Sequence, residues 1–163
     1  MAQTIATSAV GEYLTRHLTE VFSTMLSLPA AVHANVVPSH VAERVTSSVS
    51  FVGETVTGTV YFHVPDTFAA HIAGAMLGLP PTEPPAAPDV NDVMGEVANM
   101  LAGGLKSWLC DKGASCALST PGIIRGSSFT ILPSEGVSQL KFGFTSETHE
   151  GVVEVHIKFA PQA

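Results

Sequence analysis

Charge is scarce in this 163-residue chain: only 13% of its residues are Asp, Glu, Lys or Arg, and just seven are basic. Fourteen acidic side chains leave a formal net charge of −7 and a pI near 5.3. No window clusters Lys or Arg, which disfavours a phosphate-tracking nucleic-acid binder and a polybasic membrane binder alike. Cysteine is nearly absent. Cys110 and Cys116 are too few for a disulfide scaffold, and their C-x₅-C spacing is not the CxxC redox spacing, so both read as packing thiols. Long apolar runs are missing too. No run of about 18 residues escapes polar or breaking residues, and the opening MAQTIATS has no basic segment leading into an apolar one. The expectation is an unexported protein of the cytoplasm with no membrane span. There is no GxGxxG, P-loop or GxSxG motif, so nucleotide binding and acyl-enzyme hydrolysis are disfavoured. The seven histidines include no HxxxH or HExxH pair; His33 and His40 are seven apart, as are His149 and His156, so no metal site is expected.

What the chain does have is material for a core. It is 45% hydrophobic with a mean hydropathy of +0.32, and its length suits a single domain spanning 1–163. Val10, Leu14, His17, Leu18, Val21, Phe22 and Met25 recur at three- and four-residue steps, which predicts a helix from about Ile5 to Leu28, ended by Pro29. Val32 to Val37 reads as a short strand closed by Pro38. Alternation over Val45–Val52 and the β-rich run Thr55–Val64, separated by Gly53-Glu54, predict a hairpin. A short helix follows, capped by Asp66 or Thr67, with Phe68, Ile72, Met76 and Leu77 on one face and Gly78 at its end. Five prolines within 79–91 then predict a stiff linker. After a helix over Val90–Leu109, strands are expected at Ser115–Ser119, Phe129–Leu132, Leu140–Phe144 and Val152–Phe159, with His156 facing solvent or a partner. Helices that segregate from alternating strands, without regular βαβ units, predict an α+β fold: amphipathic helices on a mostly antiparallel sheet.

The Val90–Leu109 helix carries the chemistry. Val90, Met94, Val97, Leu101, Leu105 and Trp108 make its apolar stripe, while Asp92, Glu96, Asn99, Gly103 and Lys106 line the opposite side. Such a stripe reads either as a solvated face or as an interaction surface. Asn is a mediocre helix former, and Gly103 and Gly104 each cost about 1 kcal/mol relative to Ala inside a helix. That oddity favours an interaction surface, and close approach of another backbone is the natural reason for the glycines.

Asp92-x₃-Glu96-x₂-Asn99, followed after twenty-one residues by Pro121, resembles the D/S-x₃-E-x₂-N…P pattern of the CheC/CheX/FliY response-regulator phosphatases, most closely the CheX type. The flanking Asn99-Met100-Leu101-Ala102-Gly103 is similar as well, and the likeness extends over most of the chain. The spacing to Pro121 is one residue short of the usual form, and Gly104 stands where a polar residue is common. CheC-type members carry a second motif on the first helix; here Glu12-x₂-Thr15 and Glu20-x₂-Ser23 lack its Asn. The resemblance therefore implies one site per chain, and a homodimer with the sheet extended across it. It implies a substrate, the phospho-aspartate of a CheY-like receiver in chemotaxis or another two-component circuit. Asn99 would orient the attacking water and Glu96 would pair with the receiver's active-site lysine, with Asp92, Gly103, Lys106 and Pro121 contributing to docking or to local structure. No cofactor of its own is implied, since Mg²⁺ belongs to the receiver's acidic pocket. The alternatives are a non-catalytic adaptor or sensor module of the same fold and a structural dimerisation protein.

Overall fold

The structure, a computed structural model, describes residues 4–33 and 43–161. Val10, Leu14 and Leu18 are fully buried at four-residue steps and fold Thr7–Val21 into helix α1. Its end widens into a single π-turn, Phe22–Leu26, closed by Ser27 in the left-handed region. The π-turn adds residues per turn and so shifts the phase of the buried face. Leu26 turns inward, whereas Met25, which regular helical spacing assigns to the core, is 54% exposed.

Strand β1 is Ala31–His33; the rest of the expected 32–37 strand and Pro38 lie outside the described residues. The expected hairpin forms from β2 (Arg44–Val52) and β3 (Val56–Pro65). Helix α2, Asp66–Leu77, starts without a side-chain cap from either Asp66 or Thr67, since Pro65 holds the cap position and Asp66 is already in the first turn. Phe68 and Ile72 are buried as expected, Leu77 is exposed, and Gly78 ends the helix at φ 67°. Helix α3 is Ala87–Asp111, so the proline linker stops earlier than its composition suggests. Pro88 sits in the first turn, where a backbone N–H has no intrahelical partner to lose.

The remaining strands are β4 (Ala117–Leu118), β5 (Gly122–Gly126), β6 (Ser138–Ser146) and β7 (His149–Phe159). β5 is not anticipated by the alternation pattern, and the expected 129–132 strand is irregular chain. The cause is visible at Arg44: its guanidinium lies 3.8 Å from the Phe129 ring centroid, and its Nη2 donates to the Phe129 carbonyl, so this apolar segment is held by a cation–π contact rather than by a ladder.

The described strands form an antiparallel sheet in the order β1-β6-β7-β3-β2-β4, with β5 also paired to β2 beside β4. The three helices pack on one face, over Val45, Val49, Val60, Phe62, Val153 and Val155. Phe22, Phe62, Phe68 and Phe144 meet there with ring centroids 5.3–6.3 Å apart. This is the α+β fold that the pattern of elements predicts. The opposite face is polar yet partly sealed. His156 does alternate away from Val155 and Ile157, but it is 7% exposed rather than solvent-facing, because Glu154 accepts hydrogen bonds from it, from His63 and from Gln139.

Candidate functional site

Helix α3 meets the core with Val90, Met94, Val97, Leu101 and Leu105, all buried, while Trp108 is only half-buried at the edge of that stripe. On the other side Asp92, Glu96 and Lys106 are exposed and Asn99 and Gly103 are half-buried. The sequence-derived stripe is therefore one continuous ridge open to solvent. A Cβ at Gly103 would meet nothing within 4 Å, so the ridge is bare one turn beyond Asn99.

On one flank the ridge is bordered by the β4–β5 turn. Pro121 is brought against Gly95, where a Cβ would stand 3.2 Å from the proline Cβ. A larger residue at 95 would push the turn off the helix, so the glycine next to Glu96 is what lets Pro121 join this surface. One turn toward the helix start, Asn91 Oδ1 accepts hydrogen bonds from Arg125 Nε (3.0 Å) and Nη2 (2.6 Å). Neither Asn91 nor Arg125 stands out in the sequence, because thirty-four positions separate two residues that meet only when β5 pairs with β2.

On the other flank lies α1. His17 Nε2 is 2.9 Å from the Met100 carbonyl oxygen and donates to it when protonated at that nitrogen. Its ring fills the space beside Gly104, where a Cβ would come within 2.6 Å of three imidazole atoms. This corrects the expected reason for the double glycine: a side chain, not a backbone, makes the close approach, and only at Gly104. Tyr13 stacks between His17 and Trp108, at 5.4 Å from each, and Lys112 sits over the indole. Burial, reinforced by Glu20 and opposed by Arg16, pushes the Tyr13 hydroxyl above its ordinary pKa, so it stays neutral.

The acid–base contacts within ion-pair distance among the described residues are His17–Glu20, His63–Glu154, His71–Glu147 and His156–Glu154, each an ion pair only when its histidine is protonated. None of them uses Asp92, Glu96, Lys106 or Arg125, so the charges of the ridge are uncommitted. No group of three or more metal-ligating side chains occurs among the described residues. Both cysteines are free thiols, and burial raises the Cys116 pKa, which keeps it unreactive near neutrality.

The sequence profile described as chemotaxis phosphatase CheX matches residues 45–145, which include the whole ridge, Pro121 and Arg125. The chain belongs to the CheX family. No curated protein matches its sequence. The CheX chemotaxis protein of Vibrio vulnificus is 25% identical at a TM-score of 0.78, over 95% of this chain and 100% of that one. A CheC-like protein from a Shewanella species gives 25% and 0.78, over 94% and 99%. The Borrelia burgdorferi CheX, in a complex with CheY, BeF3 and Mg²⁺, shares the fold at 18% identity and a TM-score of 0.68, over 91% and 97%. In this CheX-family chain α1 lies outside the matched profile; its Glu12 is exposed and Thr15 half-buried, and the helix contains no Asn or Gln. The helix α3 ridge is the single candidate surface that the motif marks. No helix is long and apolar enough to cross a membrane among the described residues.

Proposed function

We propose that this chain is a phosphatase for the phospho-aspartate of a CheY-like receiver domain, acting in the cytoplasm in chemotaxis or a related two-component circuit. The observation that carries the reading is the convergence of Glu96, Asn99 and Pro121, three of the four positions of the motif, on one surface whose ionic groups have no ion-pair partner among the described residues. Family membership supports the activity, and the CheX–CheY pairing in the Borrelia structure supports the partner class.

In this reading water attacks phosphorus in line, the bond from phosphorus to the aspartyl oxygen breaks, and the products are inorganic phosphate and the receiver carboxylate. Phosphoryl transfer asks little covalent work of a protein and much positioning. The Asn99 carboxamide offers an acceptor oxygen and two N–H donors, which suit it to orient the water. It takes no proton, since an amide does not act as a base near neutral pH. Glu96, a turn away, pairs with the receiver's active-site lysine and fixes the docking register. Asp92, Gly103, Lys106 and Pro121 border the contact. Mg²⁺ stays with the receiver, and this chain needs no cofactor. Two copies are proposed to pair edge to edge through the sheet, whose outermost strands among the described residues are β1 and, on the other side, β4 and β5.

Phosphate release from a phosphorylated CheY-like receiver with Mg²⁺ tests the reading. Wild type accelerates the decay, and Asn99→Ala abolishes the acceleration while the complex still forms. Binding without acceleration identifies the adaptor instead, and absence of both across several receivers removes the receiver from consideration.

A further inference from the structure

Arg125 is a cation held beside the acidic half of the α3 ridge. Two of its N–H groups converge on Asn91 Oδ1, an uncharged acceptor one residue before Asp92 and one turn before Gly95. That contact fixes a long side chain without neutralising it. The cost of ordering a guanidinium, one of the larger side-chain entropies, is met within the folded chain. Among the described residues the exposed guanidinium makes no other side-chain hydrogen bond and enters none of the ion pairs.

A cation held in place and left unpaired has little structural purpose in a chain with twice as many acidic as basic side chains. It does have an electrostatic one. A receiver that carries a phosphoryl group and Mg²⁺ surrounds them with carboxylates, because Mg²⁺ is bound by oxygen ligands. An enzyme of formal charge −7 presenting Asp92 and Glu96 to such a rim meets like charge. We infer that Arg125, held by Asn91 on the Pro121 side of the ridge, is a specificity-determining docking residue that takes a carboxylate at the acidic rim of the receiver's phosphorylation pocket. The inference rests on the receiver-phosphatase reading and adds to it the charge that the partner must present.

Arg125 stands at the margin of the contact, so its effect falls on encounter and affinity rather than on the chemical step. The test is steady-state phosphate release by the full chain from a phosphorylated CheY-like receiver at several salt concentrations, with receiver binding measured in parallel by fluorescence anisotropy. Arg125→Gln raises KM and Kd by about three- to tenfold, leaves kcat within about twofold, and flattens the salt dependence of kcat/KM. Asn91→Ala, which keeps the charge but frees it, gives a smaller rise with the salt dependence retained, and Arg125→Lys behaves in the same way. Unchanged KM, Kd and salt dependence in Arg125→Gln, with an active wild type, overturns the docking role alone. A fall in kcat at constant Kd also overturns it, because Arg125 would then act on the reacting phosphoryl group. A wild type that binds the receiver without hydrolysing it refutes the phosphatase reading, and the Kd series still decides Arg125. A wild type that neither binds nor hydrolyses refutes both.

Discussion

The imidazole of His17 occupies the volume that a side chain at position 104 would need, and from there it reaches the carbonyl of Met100, the residue that follows Asn99. Helix α1 is thereby pinned to α3 directly behind the candidate catalytic amide. Gly104→Ala forces the ring out and breaks this bond, so it destabilises the fold by about 1–3 kcal/mol despite the better helix propensity of alanine. Gly103→Ala, with open space around it, stabilises by up to about 1 kcal/mol. Urea unfolding of the two variants checks the opposite signs.

Asn99→Ala is expected to lower kcat by about 10²-fold or more with receiver affinity retained, the size of effect that follows loss of one well-placed polar group in an active site. Because the amide does not titrate, no ionisation of Asn99 shapes the pH–rate profile. Single-turnover dephosphorylation measured from pH 6 to 9 addresses both points.

Gly95→Leu pushes Pro121 away from α3. Since the turn that moves is exposed, the expected loss is mainly in kcat/KM, with stability reduced by no more than about 1–3 kcal/mol. Parallel thermal unfolding and phosphate-release measurements separate the two effects; an unfolded Gly95→Leu chain at ambient temperature contradicts the prediction.

Acid should weaken the fold through the polar side of the sheet. Burial alone would raise the Glu154 pKa, but hydrogen bonds from His63, Gln139 and His156 outweigh it and bring the carboxyl down to about 2, from 4.5 in the unfolded chain. A depressed carboxyl contributes stability that is complete above the unfolded pKa and is lost as pH falls from about 4.5 toward about 2. Burial also lowers the His63 pKa, against the opposing pull of Glu154, so its contribution is complete above 6.5 and diminishes below that value. Both groups act in the same direction. Glu154→Gln costs about 1–3 kcal/mol at neutral pH and removes part of the loss between about pH 4.5 and 2, as denaturant melts across that range would register.

Arg44→Ala releases the ring and carbonyl of Phe129. The loss of a largely desolvated cation–π contact is expected to cost about 1–2 kcal/mol and to speed proteolytic cleavage within 127–137. Cleavage rates equal to wild type at matched stability would count against this anchoring.

The sequence alone determined the elements whose neighbours along the chain set the pattern. Four-residue recurrence of Val10, Leu14 and Leu18, alternation of Leu140, Phe142 and Phe144, and the two-sided chemistry of α3 follow from helix and strand periodicity, so the α+β class and the ridge of Asp92, Glu96 and Asn99 were legible before any contact was known. Tertiary structure decided what depends on distant partners. The departure of Phe129 from any ladder, the formation of β5 and the burial of His156 each follow from contacts made across the fold, and the π-turn that exposes Met25 breaks a helical spacing that the sequence carries unbroken. So do the borders of the site. Gly95 and Gly104 are both glycines within one helix, yet only folding brings Pro121 to the first and His17 to the second, because a missing Cβ carries no record in the sequence of which side chain will fill its place.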